Sequence, residues 1–365
     1  MILINCTRDN FTLKYPLEQI APLDSVLFFD IETTGFLARS SQLYLIGCAY
    51  YQDNSWNIVQ WLAQNTSEEA LILKEFLAFA KDYTTLIHFN GAQFDIPYIK
   101  QKCQQYSLIH PLDDMLSFDI YKGISPYKTI LNLPNCKQKT LEAYLGLQRN
   151  DLYDGGELIE IYKNYCKNPT DDQKELLLLH NFEDVCGMLD CLPLLLYADL
   201  FTGSFEVDDA WTDDYKGLSG ELRSELIISL ALKHPLPTPL IISKNDVFVR
   251  MAETGCQIKI PIYSGELKYF YSNYKDYYYL PLEDKALHKS VAGYMDKAFR
   301  KQATANNCYT RKTGNYLPQW SPLFEPSFKK EYKDTLSYFE LTKETTIDKN
   351  AIYEYATQIL KKMAM

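Results

Sequence analysis

For about 200 residues the chain sets short apolar runs against amphipathic stretches; after that, polar and apolar residues alternate. "SVLFFDIETTGF" (25–36) and "QLYLIGCAYY" (42–51) predict two strands, with Gly35 and the polar "ARSS" in the turn between them, and "SWNIVQWLA" (55–63) predicts a third. "SEEALILKEFLAFAKDY" (67–83) spaces its apolar residues as a helix does, with Ser67 at the cap and acids in the first turn. "TTLIHFNG" (84–91) reads as a fourth strand and "DIPYIKQKCQQY" (95–106) as a helix. "MLSFDIYKGI" (115–124) starts strand-like. Helices follow at "TLEAYLGL" (140–147, capped by Thr140), "GGELIEIYKNYC" (155–166) and the long apolar "DDQKELLLLHNFEDVCGMLDCLPLLLY" (171–197). This order predicts an α/β fold with one sheet covered by helices.

The polar, acidic, glycine-bearing "FTGSFEVDDAWTDDYKGLSG" (201–220) marks a boundary, giving expected domains 1–200 and 201–365. Beyond it "DVFVRMAETGCQIKIPIYSGELKYFY" (246–271), broken at Gly255 and Gly265, predicts an antiparallel sheet. A helix near 283–303, a hairpin around "RKTGNY" (311–316) and a last helix from Lys349 complete a smaller α+β domain.

Charge sharpens the division. Residues 201–365 hold 22 Lys and Arg against 21 Asp and Glu, whereas residues 1–200 hold 15 against 26, a net −11. Such acidity argues against indiscriminate nucleic-acid binding but permits a local basic patch or divalent cations. The nine cysteines are scattered without a CxxC pair, which disfavours a zinc ribbon; Cys48, Cys186 and Cys191 read as core residues. Free thiols suit a reducing cytoplasm. No signal-peptide pattern and no apolar run of membrane-spanning length is expected.

The candidate chemistry begins at Asp30 and Glu32, two acids one residue apart at the end of a buried run. On a strand such residues share a face, where two negative charges are costly unless a cation lies between them. Asp95 follows the fourth strand in "HFNGAQFDIPYI"; it is also placed to cap the helix that follows. His180 and Asp184 stand four apart in "LHNFEDVCGMLD", on one helix face. Four carboxylates at one site suit hard cations, Mg²⁺ or Mn²⁺. Two such ions roughly 4 Å apart clamp the oxygens of an in-line phosphodiester displacement.

The order DxE, NGxxFD, helical HNxxD resembles the DEDD superfamily of 3′→5′ exonucleases, and within it the YprB-like ribonuclease-H-like family. The connecting "KTLEAYLGLQRNDLYDGGELIEIYKNY" (139–165) also resembles that branch. The resemblance covers roughly residues 20–200. It implies a ribonuclease-H-like mixed sheet flanked by helices, and a two-metal exonuclease acting on single-stranded ends of DNA or RNA, with Asp30, Glu32, Asp95 and Asp184 as ligands. His180 departs from the pattern: it holds the spacing at which relatives carry a Tyr general base, and an imidazole can also accept a proton from water. Thr33, Asn90 and Asn181 are expected substrate contacts, although Asn90 also suits the turn with Gly91, and Asn181 suits the positioning of Asp184. A non-catalytic nucleic-acid-binding protein and a structure-specific endonuclease are the alternatives.

In the second half, "PIYSGELKYFYSNYKDYYYL" (261–280) holds seven tyrosines, and residues 285–333 hold ten basic residues against three acids. Lys289, Lys297, Arg300 and Lys301, on an expected helix, together with Arg311 and Lys312, form a candidate patch for phosphates, with tyrosines for unpaired bases.

Overall fold

The computed structural model describes residues 1–217, 219–342 and 348–364. The chain divides into two compact units, Met1–Ala198 and Asp199–Met365.

The first unit holds β1 (Ile2–Thr7), β2 (Val26–Thr33), β3 (Leu43–Gln52), β4 (Ser55–Leu62), α1 (Glu69–Ala80), β5 (Thr85–His88), α2 (Asp95–Tyr106), β6 (Leu116–Asp119) and α3 (Ile120–Ile124). After these come α4 (Gln138–Tyr144), α5 (Gly155–Lys167) and α6 (Asp171–Cys191), and then α7 (Leu195–Thr202), which begins in the first unit and ends in the second. The six strands form one mixed sheet in the order β1-β4-β3-β2-β5-β6. β2 pairs antiparallel with β3 and parallel with β5, which places it near the centre. The amino-terminal strand β1, unassigned from sequence, pairs antiparallel with β4 at the edge.

Alternation along β2 sorts its side chains. Leu27, Phe29 and Ile31 enter a core with Ile72, Leu73 and Phe76 of α1 and Ile99 of α2. Asp30 and Glu32 face the other way, toward α6, which packs on β2, β3 and β4. On that second side Tyr44, Leu45 and Leu62 pack with Leu158, Tyr162 and Leu177, and Tyr44 stacks on Tyr162 at 4.1 Å. By length and composition Asp171–Thr202 qualifies to cross a membrane, contrary to expectation, but 78% of its apolar window is buried, as in a core helix. Pro193 falls in a 3₁₀ turn between α6 and α7.

Three expected caps differ. Asn65, not Ser67, accepts the Ser67 N–H at 3.0 Å ahead of α1, because an Asn two residues earlier completes that turn. Thr140 lies inside α4, its hydroxyl bonded to Asn135. Asp95 is the first residue of α2 and Phe94 holds the cap position.

The second unit is richer in strands than expected. β7 (Phe205–Lys216) and β8 (Leu222–Leu232) form a long hairpin from the stretch read as a boundary. With β9 (Leu240–Lys244), β10 (Val247–Met251) and β11 (Gly255–Pro261) they make a five-stranded sheet ordered β7-β8-β11-β10-β9. β12 (Tyr263–Phe270) follows, then β13 (Tyr277–Leu280), β14 (Lys285–His288), the single-turn α8 (Lys289–Ala292), β15 (Lys301–Gln302), β16 (Tyr309–Gln319), β17 (Ser337–Glu340) and α9 (Lys349–Ala364). The expected helix at 283–303 is replaced by α8 and short strands, because Lys285–His288 pairs antiparallel with Tyr277–Leu280 and Lys301–Gln302 pairs with the same strand. "RKTGNY" is no hairpin; it lies within β16, which pairs along its length with β12.

Candidate metal and active site

β2 and α6 bring the site together, and a glycine lets them meet. Asp30 pairs across the sheet with Gly47 of β3. A Cβ at Gly47 would fall 2.0 Å from Asn181 Oδ1, so the missing side chain gives α6 its close approach. In that space the fully buried Asn181 donates to Asp30 Oδ2 at 3.0 Å and accepts from Gln60 Nε2 at 2.9 Å. Its amide thus links Asp30 to Gln60, and Asn181 holds Asp30 in place.

His180, one residue earlier on α6, is also buried. Its Nε2 lies 3.3 Å from Asp184 Oδ2, as the spacing predicts, and 3.6 Å from Glu32 Oε1. Ligand atoms of Glu32, His180 and Asp184 all lie within 4.8 Å of one another. Its Nδ1 is 2.6 Å from Asp151 Oδ2. A carboxylate there accepts from Nδ1–H, which leaves the Nε2 lone pair of a neutral ring facing Glu32 and Asp184.

Asp151 and its neighbours come from the α4–α5 connection, and sequence reasoning assigned them no role. Lys139 Nζ donates to Asp151 Oδ2 at 2.9 Å and Tyr153 N–H to Oδ1 at 3.0 Å. Burial works to raise the Asp151 carboxyl; the Lys139, Tyr153 and His180 donors outweigh it and hold Asp151 below the usual range. Arg149 spans Asp184 Oδ1 (2.5 Å) and Glu142, where its second bond is 2.6 Å. Gln138 Nε2 donates to the Asp184 carbonyl at 2.7 Å. Glu183 accepts the N–H groups of Asn150 and Asp151 at 2.8 and 2.9 Å. Gly187 makes this docking possible, since a Cβ there would lie 1.9 Å from Glu142 Oε1. The signal for them in the sequence is the resemblance of segment 139–165 to the family pattern.

Asp95 arrives from the other side on the β5–α2 turn. Asn90 takes a left-handed φ of 60° and donates its backbone N–H to Asp119 Oδ1 at 2.9 Å, which shapes the turn. His88 Nδ1 accepts the Gly91 N–H at 3.0 Å and Nε2 meets Ser117 Oγ at 2.8 Å. A Cβ at Gly91 would lie 2.9 Å from Asp95 Oδ2. Thr33 donates to Gly35 O at 3.0 Å. At the rim, Phe36 is 89% exposed and rests edge-on against Phe94, a feature not foreseen.

The electrostatics point one way. Burial first, then Asp184, Glu32 and Asp95, push the Asp30 carboxyl far up; burial, Asp184, Asp95 and Asp151 do the same to Glu32. Asp95 is pushed up to about 7, chiefly by burial, with N–H groups of Asp95 and Ile31 opposing. Among the described residues neither Asp30 nor Asp95 has a Lys or Arg partner. Buried and half-buried acids that cannot all ionise together, with oxygen donors close to one another, fit divalent cations.

The basic residues expected to bind substrate sit in the second unit, on and around β13 to β16. Lys289 and Arg300 lie over the Tyr278 ring at 5.4 and 4.6 Å, and Arg300 donates to Ala292 O. Lys301 is in β15, opposite Tyr279. Arg311 pairs with Glu266 at 3.1 Å and Asp284 at 3.6 Å, and Lys312 with Glu340 at 2.5 Å.

Residues 27–192 match the RNase_H superfamily, and the first unit, a mixed sheet flanked by helices, has a ribonuclease-H-like fold. No curated protein gives a match. Among solved structures, the family B DNA polymerase of Pyrobaculum calidifontis is 14% identical at a TM-score of 0.39, over 69% of this chain and 35% of that one. E. coli exonuclease I in complex with a dT13 oligonucleotide is 12% identical at 0.34, over 56% and 54%. The zinc-bound form of the E. coli ExoI–ssDNA complex is 11% identical at 0.32, over 93% and 73%. The chain thus spans about a third to a half of the first two.

Proposed function

We propose that the first unit is a metal-dependent nuclease, a DEDD-type 3′→5′ exonuclease of the YprB-like branch that hydrolyses phosphodiester bonds of DNA or RNA. The observation that carries this is the convergence of Glu32, His180 and Asp184 within 4.8 Å, beside Asp30 and Asp95, whose carboxyl pKa values the Asp184 charge helps to raise. In this reading Asp30, Glu32, Asp95 and Asp184 hold two Mg²⁺ or Mn²⁺ ions. The ions would supply charge neutralisation at the phosphate and a lowered pKa for the attacking water. His180 takes the water's proton at Nε2, with Asp151 fixing the ring through Nδ1. Asn181 keeps Asp30 in place, and Arg149 and Gln138 keep Asp184 in place. Phe36 offers an exposed face on which a terminal base stacks.

The grouping of Nε2 with two carboxylates favours a second reading for His180 as a ligand, for which imidazole suits Mn²⁺ better than Mg²⁺. Metal titration separates the two. For a base, His180→Ala lowers kcat by about 10²–10⁴-fold with metal affinity unchanged; for a ligand, Mn²⁺ affinity falls with it.

The defining experiment is a time course on 3′- and 5′-labelled single-stranded DNA and RNA with Mg²⁺, Mn²⁺ or EDTA. The proposal expects metal-dependent release of nucleotides from the 3′ end. Internal cuts would replace the exonuclease with an endonuclease, and hydrolysis unaffected by EDTA would remove the metal mechanism.

A further inference from the structure

Arg311 and Lys312 of the sequence-expected basic patch are paired with carboxylates, but among the described residues cations at a different place in the second unit are not. A cavity of about 810 Å³, partly open to solvent, lies where β8, β12, β17 and α9 meet. Its volume falls within the ~300–1,000 Å³ typical of ligand sites. Four aromatic side chains line it: Tyr215, Tyr263, Trp320 and Tyr338. Arg223, Lys330 and Lys362 bring three cations, and Asp246 is the one carboxylate in the lining.

Tyr338 is anchored in a buried cluster with Leu267, Tyr316 and Phe328, and Tyr263 packs against that cluster, which fixes both rings at the cavity wall. Tyr263 and Tyr338 stand 5.7 Å apart, centroid to centroid, and Lys330 Nζ lies 4.7 Å from the first ring and 5.9 Å from the second. Trp320 is fixed through its backbone N–H, which donates to Gln358 Oε1 of α9 at 3.1 Å. Arg223 pairs with Glu221 at 2.6 Å. Lys330 and Lys362 have no carboxylate partner among the described residues. Two uncompensated ammonium groups beside flat rings match a ligand that is anionic on one side and planar on the other. Phosphates take the cations and unpaired bases take the rings. A duplex keeps its bases stacked inside and offers no ring face to Trp320.

We propose that this cavity binds nucleotide units of single-stranded nucleic acid. The proposal goes beyond the hydrolysis assigned to the first unit and does not depend on it. Binding is therefore measured on the full chain carrying Asp30→Asn, in EDTA, by fluorescence anisotropy of labelled 12-mer DNA and RNA single strands and a 12-mer duplex across a salt series. Both single strands are expected to bind more tightly than the duplex. Lys330→Ala with Lys362→Ala should weaken single-strand binding about tenfold and reduce the salt slope by about 1.4, from ~0.7 per phosphate contact. Trp320→Ala should also weaken it about tenfold, the scale of one lost base stack. Arg311→Ala with Lys312→Ala, whose cations are already paired, should change little. Circular dichroism and thermal melts report folding, and the exposed Lys330 keeps the test alive if Trp320→Ala does not fold. Unchanged affinity and slope in the double lysine variant would overturn the proposal, as would an equal loss in the Arg311 and Lys312 variant. Displacement by inorganic polyphosphate at equal charge would also overturn it, by showing an anion site without base recognition.

Discussion

Asp151→Asn isolates the connection between the α4–α5 segment and the site. Both Asp151 oxygens are acceptors: Oδ1 takes the Tyr153 N–H, and Oδ2 takes Lys139 Nζ and faces His180 Nδ1 at 2.6 Å. An amide of the same shape has only one acceptor oxygen. One orientation sets its NH₂ against the Tyr153 N–H. The other sets it against Lys139 and His180, where the ring meets it by becoming an acceptor at Nδ1 and carrying its proton on Nε2. That tautomer turns N–H, not a lone pair, toward Asp184 and Glu32, so the base is lost while the ring stays in place. A hydrogen bond to a charged group contributes ~1.5–3 kcal/mol, which bounds the stability loss. The rate effect is bounded by what a general base supplies, about 10²–10⁴-fold in kcat. The assay is steady-state hydrolysis of a 3′-labelled single strand with saturating Mn²⁺, alongside metal titration and a thermal melt. The expected pattern is a fall in kcat with KM and metal affinity near wild type, partly rescued by Asp151→Glu. Wild-type kcat in a stable Asp151→Asn protein would refute the reasoning, and an equal loss of metal affinity would reassign His180 as a ligand.

Asp30→Asn and Asp184→Asn should each nearly abolish turnover in Mg²⁺ and Mn²⁺ with circular dichroism unchanged; wild-type hydrolysis in either would remove that residue from the metal site. The carboxyls of Asp30, Glu32 and Asp95 are raised in the fold, the last to about 7, so their contribution to stability is present below the unfolded value of ~4 and is lost as pH rises through the folded values. In EDTA, Tm should therefore fall between about pH 4 and 7. Added Mn²⁺ should raise Tm more at pH 7.5 than at pH 5, where protons compete, and an Mn²⁺ shift independent of pH would contradict this. Gly47→Ala drives a methyl into Asn181 Oδ1 and should cost ~1–3 kcal/mol, with hydrolysis falling as Asp30 loses its holder; a melt at the wild-type Tm would show that α6 yields freely.

Local spacing made much of the first unit legible. The two-residue period of β2 fixed Asp30 and Glu32 on one face, and the four-residue step on α6 aligned His180 with Asp184. These relations survive because they depend on the element's own geometry and not on its neighbours. Asp151 and Arg149 lie in an irregular connection without a period, so nothing in the local pattern aims them; their partners, Asp184 and His180, are about thirty residues away and meet them only when α4 docks over Gly187. The same holds for Asn181. Its neighbourhood in sequence suggests Asp184, but the glycine gap on β3 turns it to Asp30. In the second unit, composition alone marked Arg311 and Lys312 as a basic patch. Cross-strand packing, which no local window contains, set them against Glu266, Asp284 and Glu340 and left Lys330 and Lys362 as the uncompensated charges beside the cavity's rings.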